Sequence, residues 1–214
     1  MIRCGRITTL ALLVFVGACA SLTKREPFTT YSPRYAPQPA AASAARVDWQ
    51  LAIDTPLASD TLDTTRMLVM SSPGAIETYK GGRWADTAPL VLRTLLIQAF
   101  QDSGRIVGVG AAASGLHGDF VLSVDLYDFE TQYRAGAPHA VIRLNARLGD
   151  SSVNRVAASR AFEADAPVAG TTAADAAASI EQAVNRLLPE IVDWTLDEGQ
   201  KAWAQRAATE RNTH

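Results

Sequence analysis

The sequence predicts an α+β domain: a two-layer sandwich with a mostly antiparallel sheet and two helices packed on one face. Three observations carry this. Phe120, Leu122, Val124 and Leu126, then Ala140, Ile142, Leu144, Ala146 and Leu148, alternate with polar residues, as in an antiparallel meander with one buried and one wet face. Two other stretches, around Leu92 to Phe100 and from Ala173 onward, repeat at helical spacing. Turn residues separate the runs at Ser71-Ser72-Pro73-Gly74, Gln132 to Pro138 and Gly149 to Asn154.

The elements follow in order. Trp49, Leu51 and Ile53 alternate with Gln50 and Ala52, which predicts a strand that Pro56 ends. Arg66 to Met70 form a second strand, Ile76 to Tyr79 resume pairing after the break, and Gly81-Gly82 reads as a turn. Asp86 or Thr87 caps a helix with Pro89 in its first turn. Ala88, Leu92, Leu95, Leu96, Ala99 and Phe100 make its apolar face, and Ser103-Gly104 stops it. Ile106, Val107 and Val109 form a strand, and Ala111 to Gly118 a loop of small residues. The two long strands come next, with a third at Val156, Ala158 and Phe162. Ile180, Val184, Leu187, Ile191 and Trp194 then form a core-facing helical stripe. Pro189 inside it predicts a kink or a division. Past Gly199 the sequence turns polar and should fray. The predicted order is β-β-α-β-β-β-β-α.

Ahead of this domain, Arg3 and Arg6 give a positive start, Ile7 to Val16 form an uncharged, largely apolar run of ten, and Gly17 and Ala18 precede Cys19. That order is an export signal over residues 1–18, and its apolar run is too short for a stable membrane span. Val16-Gly17-Ala18-Cys19 resembles the bacterial lipoprotein signal. The resemblance implies that the Cys19 thiol is acylated, palmitate being one such chain, and becomes the first mature residue. The alternative is an ordinary signal peptide with an incidental cysteine. Each buried CH₂ contributes about 0.8 kcal/mol, and lasting anchorage takes more than one chain. Ala20 rather than aspartate follows the cysteine, which within the resemblance implies sorting to the periplasmic face of the outer membrane. Removing 18 residues takes away Cys4, Arg3 and Arg6, leaving 196 of the 214 residues and moving the formal charge from −2 to −4.

Residues 19–46 read as a linker. Pro27, Pro33, Pro37 and Pro39 are followed by the run Ala40 to Ala45, with few bulky apolar residues. The 27 residues after Cys19 would reach about 80 Å if extended at ~3.1 Å each. Two readings stand: a leash between membrane and domain, or a segment whose Phe28, Tyr31 and Tyr35 pack back onto the domain or a partner. Residues 47–198 are then the domain and 199–214 a polar C-terminal tail.

Composition narrows the function classes. The apolar fraction of 48% includes 38 alanines, which bury little area. Even so, a domain of ~150 residues buries about two thirds of its unfolded surface. A net charge of −2 leaves no basic excess to neutralise phosphates, so no nucleic acid is expected as a partner. Two cysteines make no disulfide-rich scaffold.

The middle of the chain resembles the ABC-type transport auxiliary lipoprotein family. The residues that carry it are Arg66-Met67-Leu68-Val69-Met70, Tyr79, Gly82-Arg83-Trp84-Ala85-Asp86, the following helix and Asp102-Ser103-Gly104. Asp119 to Glu130, Ala140 to Leu148, and Phe162 with Pro167 are also similar, so the resemblance covers roughly Trp49 to Ile191. It implies a non-enzymatic periplasmic lipoprotein serving a lipid transporter, without a cofactor. Its implied partners are an inner-membrane ABC permease and ATPase and an Mce-type substrate-binding protein, and a homo-oligomer stays open.

Several residues admit a sharp and a plain reading. Tyr79, Arg83 and Trp84 could anchor a partner, since tryptophan and arginine are favoured at interfaces; the plain reading packs Trp84 under the helix start. His117, His139 and His214 lack carboxylates or cysteines at ligand spacing, so no metal site is expected. Gly108 to Gly115 lacks the Gly-Lys-Ser/Thr ending of a phosphate loop and reads as a connection. Strand alternation places Asp119 and Asp125 on one face with Tyr127, and Asp128 and Glu130 on the other. Two functions remain: an anchored auxiliary protein that joins two membranes, or a lipid carrier with an apolar groove between helices and sheet, lined by Leu95, Phe100 and Trp194.

Overall fold

Strand β7 (Phe120–Arg134) organises the molecule. The computed structural model describes residues 27–37, 45–115 and 117–212, so the export signal, Cys19 and part of the linker lie outside them. Around β7 stand β1 (Thr29–Tyr31), β2 (Val47–Ile53), β3 (Leu57–Ala58), β4 (Arg66–Ser72), β5 (Ala75–Trp84), β6 (Ile106–Ala111), β8 (Ala137–Asp150) and β9 (Arg155–Pro167), with helices α1 (Ala88–Ser103) and α2 (Ala173–Asn212). One edge of β7 pairs with β8, which pairs with β9, all antiparallel. The other edge receives β2, β3 and β4 in succession, all parallel to it. Beyond these, β6 pairs parallel with β2, β5 antiparallel with β4 and β1 parallel with β5.

The sheet is therefore mixed and curled, not the mostly antiparallel layer of a flat sandwich. The meander and the β4–β5 hairpin are antiparallel as expected. The parallel pairings escape a pattern argument because alternation reports which face is buried, not which way a neighbour runs. Strands β1, β3 and β5 are additions to the predicted order: the resumed pairing from Ile76 is a strand of its own, while β1 and β3 hold three and two residues, too few to show a period.

The helices and strands share one hydrophobic core, in which Trp49, Leu51, Leu92, Phe100, Phe120, Leu144, Val184 and Ile191 are fully buried. Pro89 stands at the start of α1, and Gly104 ends it in the left-handed conformation (φ 62°) with its N–H donating to Gln101 O. Helix α2 opens on a reciprocal cap: the Asp175 N–H donates to Thr172 Oγ1 and the Thr172 N–H to Asp175 Oδ2.

Three expectations change here. Gly81-Gly82 is no turn. It is an irregularity inside β5, between the pairs Leu68↔Thr78 and Arg66↔Arg83. Pro189 does not divide α2, because Val184, Leu187, Leu188, Ile191 and Val192 are all buried on either side of it, outweighing a local cost of about 3 kcal/mol. The residues past Gly199 do not fray: α2 continues to Asn212. Gly199 itself serves close packing, since a Cβ there would stand 2.5 Å from the Trp49 ring.

Candidate functional site

The Arg83-Trp84 pair ends β5, and strand alternation sends the two side chains opposite ways. Trp84 points inward. It is 2% exposed and meets Phe129 edge to face, with centroids 5.6 Å apart. Arg83 points outward, stays exposed, and is contacted by the chain's own N-terminal segment. Its guanidinium lies 3.7 Å from the centroid of the Phe28 ring, and its Nε donates to Thr30 Oγ1 at 3.3 Å. The pairing of β1 with β5 runs from Thr29↔Gly82 to Tyr31↔Trp84, and the Ala85 N–H donates to Tyr31 O at 2.8 Å.

The segment then follows α2. The Arg34 N–H donates to Glu181 Oε2 at 2.9 Å and the Ala36 N–H to Asn185 Oδ1 at 2.7 Å, while Asn185 Nδ2 donates back to Arg34 O at 3.0 Å. Tyr31 and Tyr35 pack against the core. Residues 27–37 thus form a strap on the domain. Tyr79 is partly buried beside the same seat, and burial raises its phenol above the ordinary value. Gly82 lies where strap, sheet and α2 converge: a Cβ there would meet that of Ala173 at 2.3 Å and the Tyr31 ring at 3.2 Å. Arg83 therefore meets the strap at the surface, whereas Trp84 and Tyr79 pack on the core side. Cys19 lies outside the described residues.

The far end of α2 is different. A cleft of about 910 Å³ opens between its last turns and the β8–β9 hairpin. Arg206 forms its floor. Its Nε donates to Asp150 Oδ2 at 2.7 Å and its Nη2 to Asp119 O at 3.1 Å, and its guanidinium lies over the rings of Phe120 and Trp203, 4.7 and 5.3 Å from their centroids. Burial pushes the Asp150 carboxyl up, but hydrogen bonds from Arg206 and Ser152 outweigh it and hold the group below its ordinary value. Val153 and Val156 stand exposed on the rim beside Arg155. The cleft thus offers apolar contact around a buried ion pair.

Of the residues expected to line a lipid groove between helices and sheet, Leu95 borders a cleft of about 430 Å³ between the strap and α1, whereas Phe100 and Trp194 face the core. Leu95 and Phe100 are buried, and Trp194 packs edge to face on Phe162 at 5.5 Å. The carboxylates on β7 also differ from simple alternation. One extra residue, Tyr127, interrupts the register between Leu126 and Asp128, which turns Asp128 to the side of Asp125. Arg147 pairs with Asp125 and Arg143 with Asp128. Glu130 is 4% exposed, and burial raises its carboxyl above the ordinary value. His139 Nδ1 lies 3.0 Å from Asp165 Oδ2. Among the described residues no group of three or more metal-binding side chains converges, and no helix is long and apolar enough to cross a membrane. The glycine-rich segment is strand β6 followed by a single 3₁₀ turn, Ala112–Ser114.

Sequence reasoning missed the cleft because its walls come from residues near 119, 150–157 and 198–209. The available signal was Trp203, which stands four residues beyond Gly199 and so continues the buried helical face.

Comparison with known proteins adds the following. The model of a family described as the ABC-type transport auxiliary lipoprotein component matches residues 32–192. A crystal structure of a Xanthomonas campestris protein is 36% identical, with a TM-score of 0.77, covering 82% of this chain and 99% of that one. Another crystal structure, of an uncharacterized protein, is 16% identical with a TM-score of 0.61, and shares the fold over 78% of this chain and 98% of its own. An uncharacterized Bradyrhizobium diazoefficiens protein is 30% identical over 171 residues. Those residues make up 78% of this chain and 44% of that relative, so the match spans less than half of the relative's length.

Proposed function

Because the chain belongs to the ABC-type transport auxiliary lipoprotein family, we propose that it is a non-catalytic, membrane-anchored auxiliary component of an ABC-type lipid transport system of the Mce type. The observation that carries this is the family match across residues 32–192, which takes in the second half of the strap, every strand of the sheet but β1 and half of α2. An acyl anchor on Cys19 holds the protein at the periplasmic face of the outer membrane. The domain receives an Mce-type substrate-binding protein, which in turn serves the inner-membrane permease and ATPase.

The strap alters the mechanics of this reading. With the strap seated on the domain from Phe28 onward, the stretch between Cys19 and the first seated residue shrinks to nine peptide steps. The domain works close to its anchor, and the partner does the spanning. The open cleft at the end of α2 is the proposed seat for that partner, since Val153 and Val156 stand exposed on it and Trp203 and Arg206, residue types favoured at interfaces, line it. The burial of Phe100 and the packing of Trp194 on Phe162 favour this over the lipid-carrier reading.

Changing Cys19 to serine should move the protein from the membrane fraction to the soluble periplasmic fraction. Continued membrane attachment with full transport would overturn the anchor. Capture of the full-length protein from detergent extracts should bring an Mce-type protein with it. Val156→Glu should abolish that capture, and unchanged capture would refute the cleft as its seat.

A further inference from the structure

The strap fixes where the anchor leaves the domain, and the sheet register fixes what else lies there. β1 runs parallel to β5 with Thr29 opposite Gly82, so the chain before Thr29 leads toward the Ala75 end of β5. That end carries the β4–β5 turn, where Ser72 faces Ala75. Because β4 is parallel to β7, with Met70 opposite Gln132, the β7–β8 turn at Ala135-Gly136 lies at the same end.

Two large apolar side chains are exposed there, Ile76 (46%) and Tyr133 (42%). Lys80 is exposed along β5, and Arg134 is half exposed. A Cβ at either turn glycine, Gly74 or Gly136, would meet nothing within 4 Å. Eight peptide steps from Cys19 to Pro27 span at most about 29 Å.

We infer that this end of the domain, made of the two hairpin tips, is a membrane-facing surface that rests on the lipid headgroup region. The inference rests on the reading of Cys19 as the acylated residue. A cysteine anchored in the bilayer holds Pro27 within that covalent limit, and the strap then holds the hairpin end toward the same plane. Tyrosine and isoleucine beside lysine and arginine suit the boundary between headgroups and acyl chains, where an apolar body and a polar tip are both accommodated. The far end, with the open cleft, is turned toward the periplasm by the same geometry.

The test uses the full chain, processed in cells and reconstituted in phosphatidylethanolamine–phosphatidylglycerol vesicles. Cys4 leaves with the signal and Cys19 is consumed by acylation, so an introduced cysteine is a unique fluorophore site. Ile76→Cys and Tyr133→Cys, labelled with bimane, should be quenched by spin-labelled lipids roughly threefold more strongly than Val153→Cys or Val156→Cys at the other end. Equal quenching at both ends, or none at 76 and 133, overturns the inference. The mass of the purified protein reports acylation separately. If Cys19 proves unmodified, the anchor reading fails, and the labels are read on protein with Cys4→Ser and Cys19→Ser, tethered at residue 19 to nickel-chelating lipids through a histidine tag. Quenching at 76 and 133 on that tether sustains the membrane-facing surface, and its absence refutes it.

Discussion

Two surfaces of this molecule are built on the same device, an arginine laid over an aromatic ring, and at only one of them does the N-terminal strap supply the ring. Arg83, itself exposed, lies on Phe28 and donates to Thr30 of that strap. Arg206 lies on Phe120 and Trp203, paired with Asp150, and faces a cleft of about 910 Å³. The difference teaches that residue types favoured at interfaces do not by themselves mark a docking site. What decides is whether the chain has already supplied the partner.

The comparison breaks at its strongest point in the core beneath the strapped surface. Trp84→Ala removes a fully packed indole and should cost about 4 kcal/mol, read as a fall in the denaturation midpoint with an unchanged slope. A loss under about 1 kcal/mol would mean that Trp84 is a surface anchor after all. At the cleft, Arg206→Ala leaves the buried Asp150 carboxylate without its cation and should cost about 2 kcal/mol at neutral pH. The Asp150 group titrates below its ordinary value in the fold. Its contribution is therefore present above the ordinary carboxylate pKa and lost as pH falls through the depressed one. Wild type and variant should converge in acid, and a gap that widens there would refute this account of Asp150. The smallest effect belongs to the strap. Arg83→Ala removes one exposed stacking contact, worth about 0.5–1 kcal/mol. It should speed amide exchange at Tyr31, Arg34 and Ala36 while leaving the centre of β7 unchanged. Unaltered exchange at those three residues would show that Arg83 does not hold the strap.

Much of this architecture is legible in the residues. Alternation in Phe120 to Leu126 and Ala140 to Leu148 identifies β7 and β8, and Ser103-Gly104 marks the end of α1. The helical stripe from Ile180 to Trp194 names the core face of α2. What escapes depends on partners distant in sequence. Parallel pairing of β2, β3 and β4 on one edge of β7 leaves no mark in the alternation. Gly199 looks like a helix stop until Trp49, 150 residues earlier, is seen against it. Strap and cleft are hidden for the same reason: the hydrogen bond from Arg34 to Glu181 spans 147 residues, and the one from Arg206 to Asp119 spans 87.

The parallel seat of β1 on β5 also has a mechanical meaning. A pull on the chain ahead of Pro27, directed away from the domain along β1, loads the β1–β5 hydrogen bonds together in shear rather than opening them one by one. The pairs Thr29↔Gly82, Thr30↔Arg83 and Tyr31↔Trp84 then share the tension. Behind them the contacts of Arg34 and Ala36 with α2 are reached only after the strand has slipped. Three short pairings can thus act as a strain relief, keeping a tug on the N-terminal segment from reaching the core strand β2.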